Sequence, residues 1–541
     1  MDIGRDSCVN TPKDRGVPIS LMKDDRRTKW IGGDRRLIYV SDPSNTTSHL
    51  SDPTSADELR SIIRNYSLGG VDSVVQEIFA ECMTMFWRTA LVPYDIRPHH
   101  QRMVPMMDEG MMPVEVFIDE CHKHGMEFIA GFRMNDRHGH HPDHFKQLCE
   151  EKPDWVLREY KPSWRGAPKE SHEYGCSLNY AVEGVREFLL SIMAEAVSRF
   201  DLDGLEFNYT RLVECFPRDQ AAESAHIMTD FVRQARVMLR RKSGKNLVLG
   251  VRVPQQMAGC LAWGLDVPTW IREGLVDYVA PGDFGFTDFN EKWEDFTSIA
   301  REHDCRVYPQ TQPKIGIELD PTTLMTEAQY RGALNNIYAA GADGFSVQNH
   351  FFHWGRFTVG SERPGGTPNQ SLETENAEHP NAYPNPLNFL RQLRNPAALT
   401  SGVRHYTFLP LWGSKGEDRG MSGIYEKQEI VLTRGAPETR STFRFRLCEQ
   451  LPENEAKCGA GKLIIEVIGL TTGDSVMIDI NRSVVDSADV TWDLEADPPT
   501  CTMNVLAPPF QFGDNHLGLT LTQSALSEGT ITVERLDCFV S

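Results

Sequence analysis

The chain has 541 residues, 40% hydrophobic and 24% charged, an ordinary composition for a globular protein of two or three domains. Its formal net charge of −20 argues against non-specific binding to nucleic acid, which requires a basic surface. It contains no run of about 18 apolar residues, so no membrane span is expected.

The cysteines and the N-terminus bear on cellular location. The 12 cysteines form no CxxC pair and show no metal-ligand spacing, which predicts reduced thiols and a cytoplasmic protein. Residues 1–6 contain no apolar segment of the kind found in signal peptides, although secretion with a trimmed signal stays open. No pattern in the sequence predicts an oligomeric state.

Between residues 36 and 350, eight apolar β-type segments alternate with helical patterns. The strand candidates are Arg36–Ser41, Ser73–Phe79, Glu127–Met134, Gly204–Tyr209, Leu247–Val253, Val276–Ala280, Arg306–Gln310 and Gly344–Gln348. Helix starts are marked by capping sequences at Ser55 and Thr326, and a helix end by Gly125. Eight alternating strand–helix units predict an α/β fold, the (β/α)8 or TIM barrel.

The character of the chain changes after Ala397. Short β-rich segments separated by turns follow, such as residues 463–468 and 475–480, and predict an antiparallel all-β sandwich. We therefore predict an N-terminal extension at 1–35, a catalytic barrel at 36–396 and an accessory β-sandwich at 397–541. The Pro-rich stretch 364–386 is expected to be a surface loop or a linker.

The fourth strand candidate carries the most informative pattern. Its apolar side chains alternate with Glu206 and Asn208, so the two polar residues share one face of a buried strand. An unpaired buried carboxylate costs several kcal/mol, so Glu206 requires either a reaction or a partner. The alternative to a catalytic role is a core carboxylate neutralised by a nearby arginine.

Catalytic groups in a parallel barrel lie at the C-terminal ends of the strands. Here those ends carry Ser41, Asp42, Glu77, Arg133, Asn135, Asp136, Glu206, Asn208, Arg211, Arg252, Asp283, Gln310, Gln312, Gln348, Asn349 and His350. The same loops contain aromatic residues, including Trp354. Sugar rings stack on aromatic faces, and amides and guanidinium groups bind hydroxyls, so this composition favours a carbohydrate ligand.

Eight residues are predicted to bind the substrate. They are Arg133, Asn135, Asn208, Arg252, Gln348, His350, Trp354 and His140. Two arginines directed into the mouth would suit a uronic acid or a sulfated sugar, because guanidinium groups bind such anions bidentately. Packing of the loops is the alternative for the aromatic residues.

Three phrases, "LDGLEFNYTR", "GLDVPTWIREGLVDYVAPGDF" and "GADGFSVQNH", occur in an order that resembles the barrel of the glycosyl-hydrolase-like family ten proteins. The resemblance covers roughly residues 36–355 and implies a TIM-barrel carbohydrate-active enzyme, commonly followed by a β-sandwich. One departure is Asn208, which stands where relatives often carry Asp. The chitinase pattern would place Thr210 at its catalytic Glu, which excludes that mechanism.

Glycosidic hydrolysis needs two carboxyl groups. Barrels of the α-galactosidase type take this pair from strands 4 and 6. That resemblance implies Glu206 as nucleophile or base and Asp283 as general acid, with Asp136 in reserve for either role. The alternative for Asp283 is a turn residue of a Gly-Asp sequence, favoured for conformational reasons alone.

The segment 137–144 contains four histidines next to Asp136 and Asp143. Such a cluster could bind Zn²⁺ or another divalent metal, but closed metal sites usually also take ligands from elsewhere in the chain. A loop that contacts substrate and a solvated loop are the alternatives. We expect no cofactor and assign no metal ligand, and a divalent metal stays open.

These features predict a glycoside hydrolase that cleaves an oligosaccharide or a polysaccharide. Its partner would be the carbohydrate substrate, with no nucleic acid and no membrane. Two other functions stay open: a metal-dependent barrel lyase or isomerase that uses the histidine segment, and a non-catalytic sugar-binding barrel.

Overall fold

The computed structural model of the chain describes most of the two predicted domains. The described residues are 35–43, 47, 50–80, 84–136, 142–159, 177–242, 244–283, 285–313, 315, 325–348, 385–409, 430–436, 440–453 and 461–541. Nearly all of the predicted N-terminal extension and of the Pro-rich stretch lies outside these ranges. No helix in them is long and apolar enough to cross a membrane.

The N-terminal domain is a closed barrel of parallel strands. The strands are β1 (Arg36–Ser41), β2 (Ser73–Ala80), β3 (Glu127–Arg133), β4 (Gly204–Asn208), β5 (Val248–Val253), β6 (Tyr278–Pro281), β7 (Arg306–Val307 and Gln310–Thr311) and β8 (Gly344–Gln348). The first part of β7 pairs with β6 and the second part pairs with β8, which closes the sheet. The predicted (β/α)8 barrel is confirmed.

The break in β7 has a local cause. Pro309 lies between its two parts and has no backbone N–H, so the ladder cannot run through it. The Pro309 carbonyl still accepts a 2.9 Å hydrogen bond from the backbone N–H of Ser346 in β8. The barrel therefore stays closed on both sides of the interruption.

Helices follow the strands and cover the outside of the barrel. They are Ala56–Leu68, Pro98–Gln101, Val104–Asp108, Pro113–Lys123, Pro142–Glu151, Glu183–Arg199, Ala225–Arg241, Met257–Ala262, Val267–Arg272, Glu294–Glu302, Glu327–Ala339, Asn385–Leu393 and Pro396–Leu399. Two predicted caps are confirmed, since Ser55 and Thr326 each form a capping box. The predicted domain boundary at 396/397 lies at the start of the last of these helices.

The alternation of side chains in the strands divides the core into two parts. Leu205, Phe207 and Tyr209 of β4 point outward and pack in the main core beneath the helices. A small cluster fills the inside of the barrel and consists of Ile38, Val40, Val75, Ile129, Tyr278, Ala280 and Tyr308. Glu206 and Asn208 point into the barrel and are buried.

The C-terminal domain is the predicted β-sandwich, built from two antiparallel sheets. The larger sheet contains Arg404–Phe408, Val431–Thr433, Gly461–Ile468, Val490–Asp493, Thr500–Val505 and Thr530–Val540. The smaller contains Arg440–Leu447, Ser475–Ile480, Ser483–Val484 and Gly513–Gln523. Apolar residues on their inner faces, including Leu463, Ile465 and Leu519, are fully or almost fully buried.

The sandwich docks on the helix Glu327–Ala339 through the half-buried amide of Asn335 and the buried amide of Asn336. Asn335 Nδ2 donates to the backbone carbonyl of Cys448 at 2.8 Å, and Asn336 Nδ2 donates to that of Arg446 at 3.1 Å. Asn336 Oδ1 accepts from the Cys448 N–H at 3.0 Å. Barrel side chains therefore satisfy main-chain groups of the sandwich.

Replacing Gly332 by alanine is expected to destabilise this contact. Alanine in a helix interior normally stabilises by about 0.5–1 kcal/mol relative to glycine. At position 332, however, a Cβ would lie 2.5 Å from the backbone oxygen of His405, so we expect a loss of about 1–3 kcal/mol. Denaturant unfolding measures this difference.

The matched control is Gly259→Ala in another helix. A Cβ there has Gln256 Cβ, at 3.8 Å, as its nearest neighbour, so this variant should be neutral or slightly stabilised. Equal effects of the two substitutions would contradict the tight approach at Gly332.

Candidate active site

Strand pairing places a layer of side chains at one level inside the barrel. Glu77, Gly131, Glu206, Gly250 and Tyr278 follow one another in register across β2 to β6. The two glycines leave room for their larger neighbours, since a Cβ on Gly250 would collide with the Tyr278 ring and one on Gly131 would lie 3.2 Å from Glu77 Cγ. This layer forms the floor of the barrel mouth.

Glu206 has its partners in this floor. Arg252 Nε donates to Glu206 Oε1 at 2.9 Å, and Arg252 Nη2 donates to Oε2 at 3.1 Å. The Tyr278 hydroxyl donates to Oε2 at 2.8 Å. Both carboxylate oxygens are engaged, and the side chain is 1% exposed. Glu206 thus has the arginine partner of the alternative interpretation, and its catalytic role stays a prediction.

Tyr278 is a functional neighbour that the sequence analysis missed. Burial raises the pKa of its phenol well above the ordinary value, and the Glu206 carboxylate raises it further. The hydroxyl therefore stays protonated and donates a hydrogen bond to Glu206. The sequence did contain a signal for this contact: Tyr278 and Gly250 both point into the barrel on neighbouring strands, and the glycine leaves space for the tyrosine ring.

Arg252 links four strands. Besides Glu206 in β4, its Nη1 donates to Gln310 Oε1 in β7 at 2.5 Å and to Ser346 Oγ in β8 at 2.9 Å. Arg252 is fully buried, so these partners replace the water that its guanidinium loses. The guanidinium is fixed in place rather than extended toward the opening.

Three carboxylates surround Arg133. Its Nε donates to Glu77 Oε2 at 2.8 Å, its Nη1 to Asp136 Oδ2 at 2.8 Å and its Nη2 to Asp42 Oδ2 at 2.6 Å. Arg211 Nε lies 3.7 Å from the same oxygen of Asp136. Like Arg252, Arg133 is held by carboxylates of the protein itself.

The neighbours of Asn208 fit its amide. Asn208 Nδ2 donates to Glu77 Oε1 at 2.8 Å, and its Oδ1 accepts from the backbone N–H and the hydroxyl of Thr210, both at 2.9 Å. Burial raises the pKa of Glu77; the nearby Arg133 lowers it, and Asp42 raises it. An aspartate at 208 could not donate to this carboxylate, which accounts for asparagine in this chain.

Asp136 and Asp283 lie beyond the ends of β3 and β6. Asp283 Oδ1 accepts from the backbone N–H of Gly285 at 2.6 Å, the turn contact expected of a Gly-Asp sequence. Its backbone oxygen accepts from Gln310 Nε2 at 2.6 Å. Asp136 and Asp283 are 5% and 1% exposed. The topology places them three strands apart around the barrel.

Two other predicted ligand residues form contacts within the protein. Asn135 Nδ2 donates to the backbone oxygen of Glu214 at 2.6 Å, and its Oδ1 accepts from the Leu178 N–H at 2.7 Å, so it joins two loops. Gln348 Oε1 accepts from Gln312 Nε2 at 3.3 Å. Their predicted contacts with substrate stay predictions.

The remaining predicted ligands are His140, His350 and Trp354, which lie outside the described residues, as does most of the histidine segment. Within the part of the chain that the structure describes, no group of three or more His, Cys, Asp and Glu could hold a metal ion.

A second acidic pair lies in the loop after β6. Gln255 Nε2 donates to Asp288 Oδ2 at 3.0 Å, and Glu291 Oε1 accepts from the Lys292 N–H at 3.0 Å. Burial raises the pKa of Glu291 to about 8, and the charge of Asp288 acts in the same direction. Glu291 therefore keeps its proton near neutral pH.

The chain combines a closed (β/α)8 barrel, with acidic groups at the strand ends, and a β-sandwich; in such a barrel the function lies in the side chains at the C-terminal ends of the strands. Residues 39–227 match the family model described as glycosyl hydrolase-like 10. The resemblance predicted from the sequence is confirmed over that part of the chain.

Several solved glycosidases have similar structures. Alpha-L-fucosidase isoenzyme 2 from Paenibacillus thiaminolyticus is 14% identical with a TM-score of 0.42, over 71% of this chain and 53% of that one, so this chain spans about half its length. The PgaB (BpsB) glycoside hydrolase domain from Bordetella bronchiseptica is 13% identical with a TM-score of 0.39, over 59% and 95%. The maltogenic alpha-amylase AmyB from Thermotoga neapolitana is 10% identical with a TM-score of 0.36, over 94% and 99%. A search of the curated proteins found no match.

Replacing Glu206 by glutamine is expected to destabilise the fold. The substitution leaves the charge of Arg252 buried without its counter-ion, which should cost roughly 3–5 kcal/mol in the free energy of unfolding. Chemical denaturation measures the loss. The exposed Glu302→Gln, at the end of an outer helix, should change stability by less than about 0.5 kcal/mol. A Glu206→Gln variant as stable as this control would contradict the ion-pair assignment.

The stability of the protein is expected to fall over the pH range in which Glu291 ionises in the unfolded chain but stays protonated in the native state. Its folded pKa is about 8 against an ordinary value of 4.5, so the native state binds the proton more tightly than the unfolded chain. Stability from this group is therefore complete below pH 4.5 and decreases up to pH 8. Glu291→Gln should gain stability relative to the wild type over this window, as denaturation at several pH values would reveal. A constant difference between the two proteins would contradict the raised pKa.

Proposed function

We propose that the barrel is a glycoside hydrolase that cleaves a glycosidic bond of an oligosaccharide or polysaccharide at its C-terminal mouth. The observation that carries this proposal is the arrangement of Asp136 and Asp283. They extend beyond β3 and β6, above a floor in which Glu77 and Glu206 are already held by arginines. Glycosidic hydrolysis requires two carboxyl groups that flank the scissile bond, and these two residues lie three strands apart around the mouth.

The two aspartates have different proposed roles. Asp136 lies beside Arg133 and Arg211, and we assign it the role of base or nucleophile. Asp283 lies beyond the end of β6, the position from which barrels of the α-galactosidase type take their general acid, and we assign it that role; its Oδ1 accepts from the backbone N–H of Gly285. In this proposal Glu206 positions Arg252 and takes no part in proton transfer.

The proposed substrate is a neutral glycan. Arg133 and Arg252, which the sequence suggested as partners of a charged sugar, each hold carboxylates of the protein. Bidentate binding of a sugar carboxylate or sulfate would have to displace these contacts at a cost of several kcal/mol. Gln348 and Asn208 within the barrel, together with His140, His350 and Trp354, are the proposed contacts with the sugar.

Amide substitutions at the two aspartates test the proposal. A panel of neutral oligosaccharides and polysaccharides is screened for release of reducing ends by the wild-type protein. On the substrate found, Asp136→Asn and Asp283→Asn should each lower kcat by about 10²–10⁴-fold. The matched control is Asp119→Asn on an exposed face of an outer helix, which should keep full activity. Full activity in both mouth variants would contradict the assignment.

A second candidate function is sugar binding without hydrolysis. It is favoured by Asn208, an amide where related sequences often carry Asp, whose Nδ2 donates to Glu77. In that case the wild-type protein would bind a glycan in calorimetry and release no product from it. Product release that depends on Asp136 and Asp283 excludes this function.

A further inference from the structure

The loop after β6, residues 283–293, connects the mouth of the barrel with the sandwich. Its first half contacts other loops of the mouth, and its second half contacts the sandwich. Asp283, one of the proposed catalytic groups, is the first residue of this loop.

The first half of the loop is fixed by contacts around Asp283. The Gly285 N–H donates to Asp283 Oδ1 at 2.6 Å. The Thr287 hydroxyl donates to the Gln312 carbonyl at 2.9 Å and accepts from the Gln312 N–H at 2.8 Å. Two backbone amides, those of Gly285 and Gln312, therefore report directly on the geometry at the mouth.

The second half of the loop is held by the barrel helix Glu327–Ala339, where Asn336 Nδ2 donates to the Phe289 carbonyl at 2.9 Å, and by the sandwich. Asn290 Nδ2 donates to the backbone oxygen of Arg444 at 2.6 Å, and Arg444 Nη2 donates to the backbone oxygen of Asn290 at 2.9 Å. Phe289 packs on Phe408 with its ring centroid 6.4 Å away. One residue of the sandwich, Arg444, thus holds the loop through both its side chain and its main chain.

Arg444 is itself anchored within the sandwich. Its Nη1 donates to Asp514 Oδ1 at 3.2 Å, an oxygen that also accepts from Arg446 Nη1 at 2.9 Å. Lys292 of the loop lies 3.5 Å from the other oxygen of Asp514. The loop therefore contacts a group of charged side chains that pair with one another on two sandwich strands, Arg440–Leu447 and Gly513–Gln523.

We propose that Arg444 is a positioning residue for the loop that carries Asp283, so that the sandwich completes the mouth of the barrel. The proposal rests on the proposed function for the role of Asp283. Only six residues separate Asp283 from Asn290, and a loop that loses one of its anchors opens more readily than one that keeps them all. Losing the Arg444 contact should therefore loosen the contacts of Gly285 and Gln312.

Hydrogen exchange of the full-length protein measures this coupling without a substrate. Arg444→Met should raise the exchange rate of the Gly285 and Gln312 amides by about tenfold or more, while the amides of β1 to β4 stay protected. Arg444→Lys keeps a cationic donor and should restore at least part of this protection. Arg440→Met is the matched control, because Arg440 lies on the same strand and pairs with Asp479 inside the sandwich.

Unchanged exchange at Gly285 and Gln312 in Arg444→Met would overturn the proposal, as would an equal increase in Arg440→Met. If Arg444→Met does not fold, Asn290→Ala removes the other hydrogen bond of this pair, from Asn290 Nδ2 to the Arg444 carbonyl. Unchanged exchange at Gly285 and Gln312 in that variant would likewise overturn the proposal. On an identified glycan, Arg444→Met should lower kcat more than it raises KM. Loss of protection without any glycan turnover would refute the proposed function and leave the coupling intact.

Discussion

The structure of the barrel mouth depends on two buried arginines whose charges are neutralised by carboxylates of the protein. Arg252 is held by Glu206 and Arg133 by Glu77, Asp42 and Asp136, so the upper level of the barrel interior is ionic where branched apolar side chains are usual. Each pair has lost its hydration, and removing one member leaves an uncompensated charge. Gly131 and Gly250 leave the space that Glu77 and Tyr278 occupy at this level of the barrel interior.

This constraint separates the acidic residues into two groups. Glu77 and Glu206 lie in the floor and orient arginines, whereas Asp136 and Asp283 lie in the loops above it, although Asp136 also accepts from Arg133. A reacting carboxyl must reach the substrate, so the upper group is the better source of an acid and a base. The sandwich enters the same scheme, because it holds the loop that begins with Asp283.

The strands and the sandwich could be predicted because their signals are local: apolar β-type segments, capping residues and turns. The inward direction of Glu206 and Asn208 followed from alternation alone. The partners of Glu206 could not be predicted in this way. Arg252 and Tyr278 come from other strands, and their contact with Glu206 depends on side-chain conformation and on the space at Gly250. The break at Pro309 and the link between Asn290 and Arg444 likewise depend on pairing across distant segments.

The most direct test of this account is the structure of the Asp283→Asn variant with its oligosaccharide bound. The account predicts an Asp136 carboxyl oxygen within hydrogen-bonding distance of the scissile linkage or its attacking water, and Glu206 still paired with Arg252 and Tyr278. A sugar ring in contact with the Glu206 carboxylate, with Arg252 displaced from it, would contradict the account.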